Sequence, residues 1–264
     1  MTIAPQKSAL VIIDMQNFIL SPAMGREQGP GHQAKYVLLS QAIPAARRSG
    51  IRILWLSWGS SDEGLKKLPP MFYRNFGMSF LPPKNTNIPA EKTRQEWRLE
   101  RGGIGCDIGT VKLDNGTEIK AGRSLMKDQW NTELHDKLAD AYKEGAQLSP
   151  PDVKFNKESH SGFWGGNTEF AGYLRHNDIK TLLFAGVNTD QCVLATLQDA
   201  VQQGYDAIMI KDACGTVSPH FAQEMVDFNA EKAFGFQSTS KNLLHDAERV
   251  EYESTVGEGQ KSEL

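Results

Sequence analysis

Three side chains of this sequence suit nucleophilic catalysis and occupy the same kind of place. Asp14 closes the apolar run Ala9–Asp14, Lys157 follows the short stretch Val153–Phe155, and Cys192 follows the run Leu182–Val187 after the break Asn188-Thr189-Asp190. A thiol attacks carbonyl carbon, a carboxylate takes and returns a proton, and a neighbouring ammonium favours the thiolate. Cys192 also stands at the mouth of an apolar-periodic segment, where the unpaired N–H groups and dipole of a helix N-terminus favour the thiolate too. Each residue alone has a plain structural explanation: a strand-end carboxylate capping a turn, a solvated loop lysine, a buried thiol. Three such residues at equivalent places point to one site.

The elements that must position them alternate between strands and helices. Ala9–Asp14 and Ile51–Trp58 read as strands buried on both faces, with helical spacing over Lys35–Ser49 between them. Further on come an amphipathic helix at Thr132–Lys143, the Val153 strand, a helix at Thr168–Arg175 and the Leu182 strand. The helix after Cys192 closes at Gly204; a strand at Ala207–Ile210, a helix at Pro219–Lys232 and a short strand at Gly235–Ser238 complete the pattern. Strand–helix alternation predicts an α/β fold in three layers around a mostly parallel, six-stranded, Rossmann-like sheet. In such a sheet ligands bind beyond the carboxyl ends of the strands, where the strand order reverses, and the three reactive residues sit at such ends. Residues 1–264 read as one domain, with an insert at about 60–127 and a polar C-terminal tail at about 245–264 whose extreme end is expected to be disordered. The insert carries Pro69-Pro70, Pro82-Pro83, the aromatics Phe72, Tyr73, Phe76 and Phe80, and a short helix at Thr93–Arg101. It ends in an edge hairpin, Gly109–Ala121, turning at Asn115-Gly116 in a type I′ geometry.

Bulk properties remove several functions. A net charge of −3, without long basic runs, gives no footprint for nucleic acid. No apolar run is long enough to span a membrane, and the N-terminus lacks the basic and long apolar regions of a signal peptide. Three scattered cysteines form neither a disulfide framework nor a zinc motif, which fits a reducing, cytoplasmic setting. The glycine-rich Gly25–Gly31 lacks the order of a dinucleotide loop, and no cofactor is expected.

The segments ALVIIDMQNFIL, KESHSGF and GVNTDQCVLATLQDAVQQGYDAIMIKDACGT together resemble the isochorismatase-like cysteine hydrolase superfamily, leaving the insert between Ser60 and Lys127 uncovered. The resemblance implies a catalytic triad of Asp14, Lys157 and Cys192. It also implies a non-proline cis peptide between Val187 and Asn188, and an oxyanion hole made by the backbone N–H groups of Asn188 and Cys192. The activity it implies is hydrolysis of a C–N bond in a small amide, ureide or carbamoyl compound through a thioester.

Two departures narrow that expectation. The Asp-x-His pair and second histidine with which nicotinamidases hold a metal are missing from SWGSSDEGLKKLPP, and His135 falls on the predicted Thr132–Lys143 helix, so no metal is expected. Isochorismatases cleave a vinyl ether, many without the cysteine; retention of Cys192 favours C–N cleavage, while isochorismate hydrolysis and a non-catalytic binding role stay open as alternatives. Phe18, Trp58, His160, Phe163 and Trp164 are the candidate substrate-pocket residues. The partner is a small molecule, and by resemblance the chain is expected to be a homo-oligomer.

Overall fold

The computed structural model describes residues 2–72 and 103–249. The strands are β1 (Ser8–Ile13), β2 (Arg52–Trp58), β3 (Thr110–Lys112), β4 (Glu118–Lys120), β5 (Val153–Lys157), β6 (Thr181–Val187), β7 (Asp206–Gly215) and β8 (Phe236–Ser238). Six of them form a parallel sheet in the order β5-β2-β1-β6-β7-β8. Successive side chains of β1 serve opposite faces. Ala9, Val11 and Ile13 pack with Leu54, Leu56 and Phe184 on one side, whereas Leu10 and Ile12 pack with Ile53, Trp55 and Leu183 on the other. Burial on both faces is why these strands read as unbroken apolar runs.

Helices complete the outer layers. Glu169–His176 and Leu194–Gln202 supply Phe170, Leu174 and Leu197 to the first face; Pro30–Val37 and Ile43–Arg48 supply Ala34, Ile43 and Ala46 to the second. The chain runs from β1 outward to β2 and β5, then returns to place β6 on the opposite side of β1. The order therefore reverses between β1 and β6, and a crevice opens at their carboxyl ends. Their close approach depends on Gly186, whose φ is +116° and whose place a Cβ would fill by colliding with the Ile13 backbone.

Several elements differ from expectation for identifiable reasons. The first helix starts at Pro30 rather than Lys35, because proline is suited to a first helical position, and it passes through a π-turn at Leu38–Ala42 before Ile43–Arg48. Pro44 has no N–H for the Ser40 carbonyl, and the widened turn accommodates it within a continuing helix. The Thr132–Lys143 helix begins only at Lys137. Residues 133–135 are drawn into extended pairing instead: Asn17 N donates to Glu133 O at 2.9 Å and His135 N to Met15 O at 2.9 Å. His135 thus lies ahead of the helix. The hairpin β3–β4 forms its own two-stranded sheet rather than an edge of the main one. Its loop is not the two-residue type I′ form: Leu113 N donates to Thr117 O, Asn115 Oδ1 accepts from Thr117 N, and Gly116 takes the left-handed position at φ +84°. At the C-terminus residues 240–249 are helical and bury Leu243 and Ala247, so the polar tail starts later than residue 245. Tyr73, Phe76, Phe80, the second proline pair and the expected Thr93–Arg101 helix lie outside the described residues. Among the described residues no helix is long and apolar enough to cross a membrane.

Candidate active site

Asp14 is the first residue past β1, where the chain turns sharply: its φ is +52°, in the left-handed region that aspartate tolerates better than most residues. Its amide still donates to Leu56 O at 2.9 Å, so the turn is anchored to β2. Gln16 fixes the other side of the turn. Its amide donates to Trp58 O at 2.7 Å and Thr132 O at 2.9 Å, and accepts from Trp58 N at 2.8 Å, all in the interior. The spacing of Asp and Gln thus places a carboxylate in the crevice and ties the end of β2 to the 130–134 segment.

Lys157 is the last residue of β5 and reaches across the end of β2. Its Nζ lies 2.8 Å from Asp14 Oδ2, donates to Ser159 O at 2.9 Å and rests 4.3 Å from the centre of the Trp58 ring. Both members of the ion pair are 1% exposed at the side chain. Burial opposes the lysine charge, yet the Asp14 carboxylate and the Cys192 sulfur outweigh burial and hold the ammonium above the ordinary lysine range.

Cys192 sits in a π-turn, Thr189–Val193, which opens the helix Leu194–Gln202. Thr196 Oγ1 donates to Cys192 O at 2.7 Å and keeps that turn in register. The Val187-Asn188 peptide preceding it is cis. The thiol lies near enough to Asp14 and Lys157 for both charges to act on it. Burial pushes the thiol up and the Asp14 carboxylate adds to this, against the opposing influence of Lys157. Burial against a carboxylate thus favours the protonated thiol at rest, opposing the pull toward a thiolate that Lys157 and the helix end exert. Beyond the ion pair and the adjacent thiol, neither Asp14 oxygen has a hydrogen-bond partner among the described residues. The carboxylate is positioned to receive the thiol proton.

A cavity of about 1200 Å³ opens over these groups, with Asp14, Cys192 and Asn188 in its wall. Phe18, Trp58 and His160 also line it. His160 packs edge-on to Trp58 at 5.5 Å and beside Phe72 at 5.0 Å; burial and the nearby Lys157 charge keep it low and neutral, against the pull of Asp14. Phe163 and Trp164 are not among the lining residues. Phe163 is core, packed edge-on to Phe170 at 5.2 Å and near Tyr205 at 5.9 Å, and Trp164 is half-buried against the same cluster. Packing against the helix Glu169–His176 holds Phe163 away from the cavity.

Some cavity residues had no sequence signal. Leu125 lines the wall in a left-handed conformation, φ +56°, held by Asn131 Oδ1 on its N–H and by Ser60 N on its carbonyl. Arg26 projects from the glycine-rich segment, and Asp190 is fixed by the Thr216 hydroxyl at 2.6 Å. Among the described residues no three His, Cys, Asp or Glu side chains are arranged to hold a metal ion.

The family model for the isochorismatase domain matches residues 114–241, which include Lys157 and Cys192. Similar curated proteins span nearly the whole chain. The ureidoacrylate amidohydrolase RutB of Klebsiella pneumoniae (strain 342) is 28% identical over 93% of this chain and 89% of its own. The chain is similar to the isochorismatase-like hydrolases in sequence. The RutB protein of Enterobacter sp. (strain 638) gives 29% identity over 90% of this chain and 88% of its own. Among solved structures, a cysteine hydrolase from Pseudomonas syringae pv. phaseolicola superposes on this isochorismatase-like chain with a TM-score of 0.63 at 18% identity, covering 94% of this chain and 95% of that one. A nicotinamidase from Bacillus subtilis gives 0.58 at 20% identity over 88% and 99%. These two structures share the fold.

Proposed function

We propose that this isochorismatase-like protein hydrolyses a C–N bond in a small amide, ureide or carbamoyl compound, with Cys192 as nucleophile, Asp14 as proton carrier and Lys157 as the fixed charge. The observation that carries the reading is the fully buried 2.8 Å Lys157–Asp14 pair beside Cys192, with Asp14 and Cys192 in one cavity wall. The resting thiol transfers its proton to Asp14 as sulfur attacks the carbonyl carbon. The backbone N–H groups of Asn188 and Cys192 are assigned to the tetrahedral oxygen, where preorganised donors are worth about 3–4 kcal/mol each in comparable sites. Collapse of the intermediate breaks the C–N bond, and Asp14 returns the proton to the departing nitrogen. Water then gives a proton to Asp14 and attacks the thioester, and Cys192 leaves reprotonated. Lys157 holds the Asp14 carboxyl group in place through these proton transfers. The names of the RutB relatives, which act on ureidoacrylate, agree with a C–N target.

Ammonia release from a panel of small amides, ureides and N-carbamoyl compounds, run beside isochorismate, tests the reading. Turnover within the panel and none of isochorismate is expected. Pyruvate release from isochorismate, with an inert panel, would instead establish the vinyl-ether reading. Binding without turnover of anything would leave a non-catalytic role.

A further inference from the structure

The turn that brings Arg26 into the cavity is built from local rules. Pro22–Met24 forms a short 3₁₀ turn with the Ser21 hydroxyl accepting from Ala23 N, and Gly25 follows in the left-handed conformation at φ +70°. That geometry aims Arg26 back over Phe18. Its Nε donates to Phe18 O at 2.9 Å, and its guanidinium carbon lies 5.3 Å from the centre of the Phe18 ring. The face and one edge of the guanidinium are thereby fixed, while neither Nη atom hydrogen-bonds a described residue. No carboxylate among the described residues pairs with Arg26, although Glu27 is its neighbour and lines the same cavity. Burial holds the guanidinium below the ordinary arginine range, as expected for a cation short of both water and a counter-charge.

A half-buried guanidinium with two free donors is poorly satisfied in isolation and well suited to a planar anion that accepts two parallel hydrogen bonds. Besides His160 and the Cys192 thiol, the other ionisable groups in the wall are carboxylic acids, Asp14, Glu27 and Asp190, which oppose a doubly charged phosphate more than a singly charged carboxylate. Phe18, Trp58 and Leu125 supply an apolar wall alongside. We infer that Arg26 is a specificity-determining residue that binds a carboxylate on the substrate, remote from the C–N bond, so that the preferred substrate is an amide or ureide that also carries an acid. This inference rests on the assignment of Cys192 as the nucleophile facing the same cavity.

Alkylation of Cys192 by iodoacetate and by iodoacetamide, followed by peptide mass spectrometry at low ionic strength, separates the two claims. The reagents deliver similar electrophiles, but only iodoacetate carries a carboxylate. Relative to the same pair of rates on glutathione, the iodoacetate-to-iodoacetamide ratio at Cys192 is expected to be raised roughly tenfold, within the range that a focused charge in a cleft produces. Arg26→Gln should bring the ratio down to the glutathione value, and Arg26→Lys should retain part of the preference. The iodoacetamide rate in each variant reports whether the site is still formed. An equal ratio in the native protein and Arg26→Gln, with iodoacetamide labelling preserved, overturns the carboxylate site alone. Cys192 inert to both reagents overturns the nucleophile assignment, and this inference with it.

Discussion

Replacing Asp14 by asparagine changes one oxygen to nitrogen and exposes how the buried pair works. At 2.8 Å and an effective dielectric of about 20, the attraction between Lys157 and Asp14 is on the order of 6 kcal/mol, before desolvation is subtracted. Breaking one partner of such a pair costs roughly 3–5 kcal/mol, because the remaining charge stays buried and uncompensated. Asp14→Asn should therefore destabilise the fold by that amount near neutral pH. The deficit should depend on pH in a defined direction. In the native chain the Lys157 charge is held above its ordinary range, so its contribution is complete below the unfolded lysine pKa of about 10.4 and is lost only as pH rises through the raised native value. In the variant burial is opposed by Cys192 alone, the native lysine pKa is expected to fall below the unfolded one, and the protein then gains stability as pH rises. Urea unfolding at pH 7 and pH 9.5 should show the gap between native and variant narrowing. Adding Lys157→Met to Asp14→Asn should recover part of the loss, a non-additivity of at least about 1 kcal/mol. A deficit under about 1 kcal/mol, constant with pH and additive with Lys157→Met, refutes the idea that these two groups form one coupled unit.

Gln16→Leu should cost about 2–4 kcal/mol in the same assay, because it orphans Trp58 N, Trp58 O and Thr132 O in the interior; a loss under 0.5 kcal/mol by the same order-of-magnitude reasoning contradicts the role given to that amide. Gly186→Ala puts a Cβ into the Ile13 backbone at φ +116° and should destabilise by more than about 2 kcal/mol, or yield insoluble protein; a midpoint like the native one means β6 does not need glycine there. Alkylation of Cys192 by uncharged iodoacetamide should keep accelerating above pH 8, because the thiol is pushed up by burial and by Asp14; a rate already flat from pH 6 onward would mean a resting thiolate.

The three reactive groups stand out in the sequence because each sits at or just beyond the end of a strand. Two-faced burial makes β1 and β6 conspicuous, and chemistry placed at the carboxyl end of a parallel strand is visible without knowing the neighbours. The supporting residues were harder to read because their roles depend on distant partners. Gln16 appears in the motif beside Asp14, but nothing local reveals that it bonds Trp58 and Thr132. Leu125 is an unremarkable leucine until Asn131 and Ser60 hold its backbone in a left-handed turn. The Thr132–Lys143 spacing is helical, yet pairing with residues 15–17 overrides it as far as Asp136. Phe163 and Trp164 flank a strand end in the sequence, yet Phe163 lies in the core and Trp164 is half-buried against it. The forces that oppose a resting thiolate were hidden for a related reason. The helix end was visible in the sequence, whereas the depth of burial and the carboxylate contact were not.

The central claim is that Cys192 forms the covalent bond. Once the panel has supplied a turned-over amide or ureide, ammonia release by Cys192→Ala should fall at least about a thousandfold, with the circular dichroism and unfolding midpoint of the native protein retained, since the change removes one sulfur from an already formed cavity wall. Turnover within tenfold of the native rate by a correctly folded Cys192→Ala protein contradicts the account at its root.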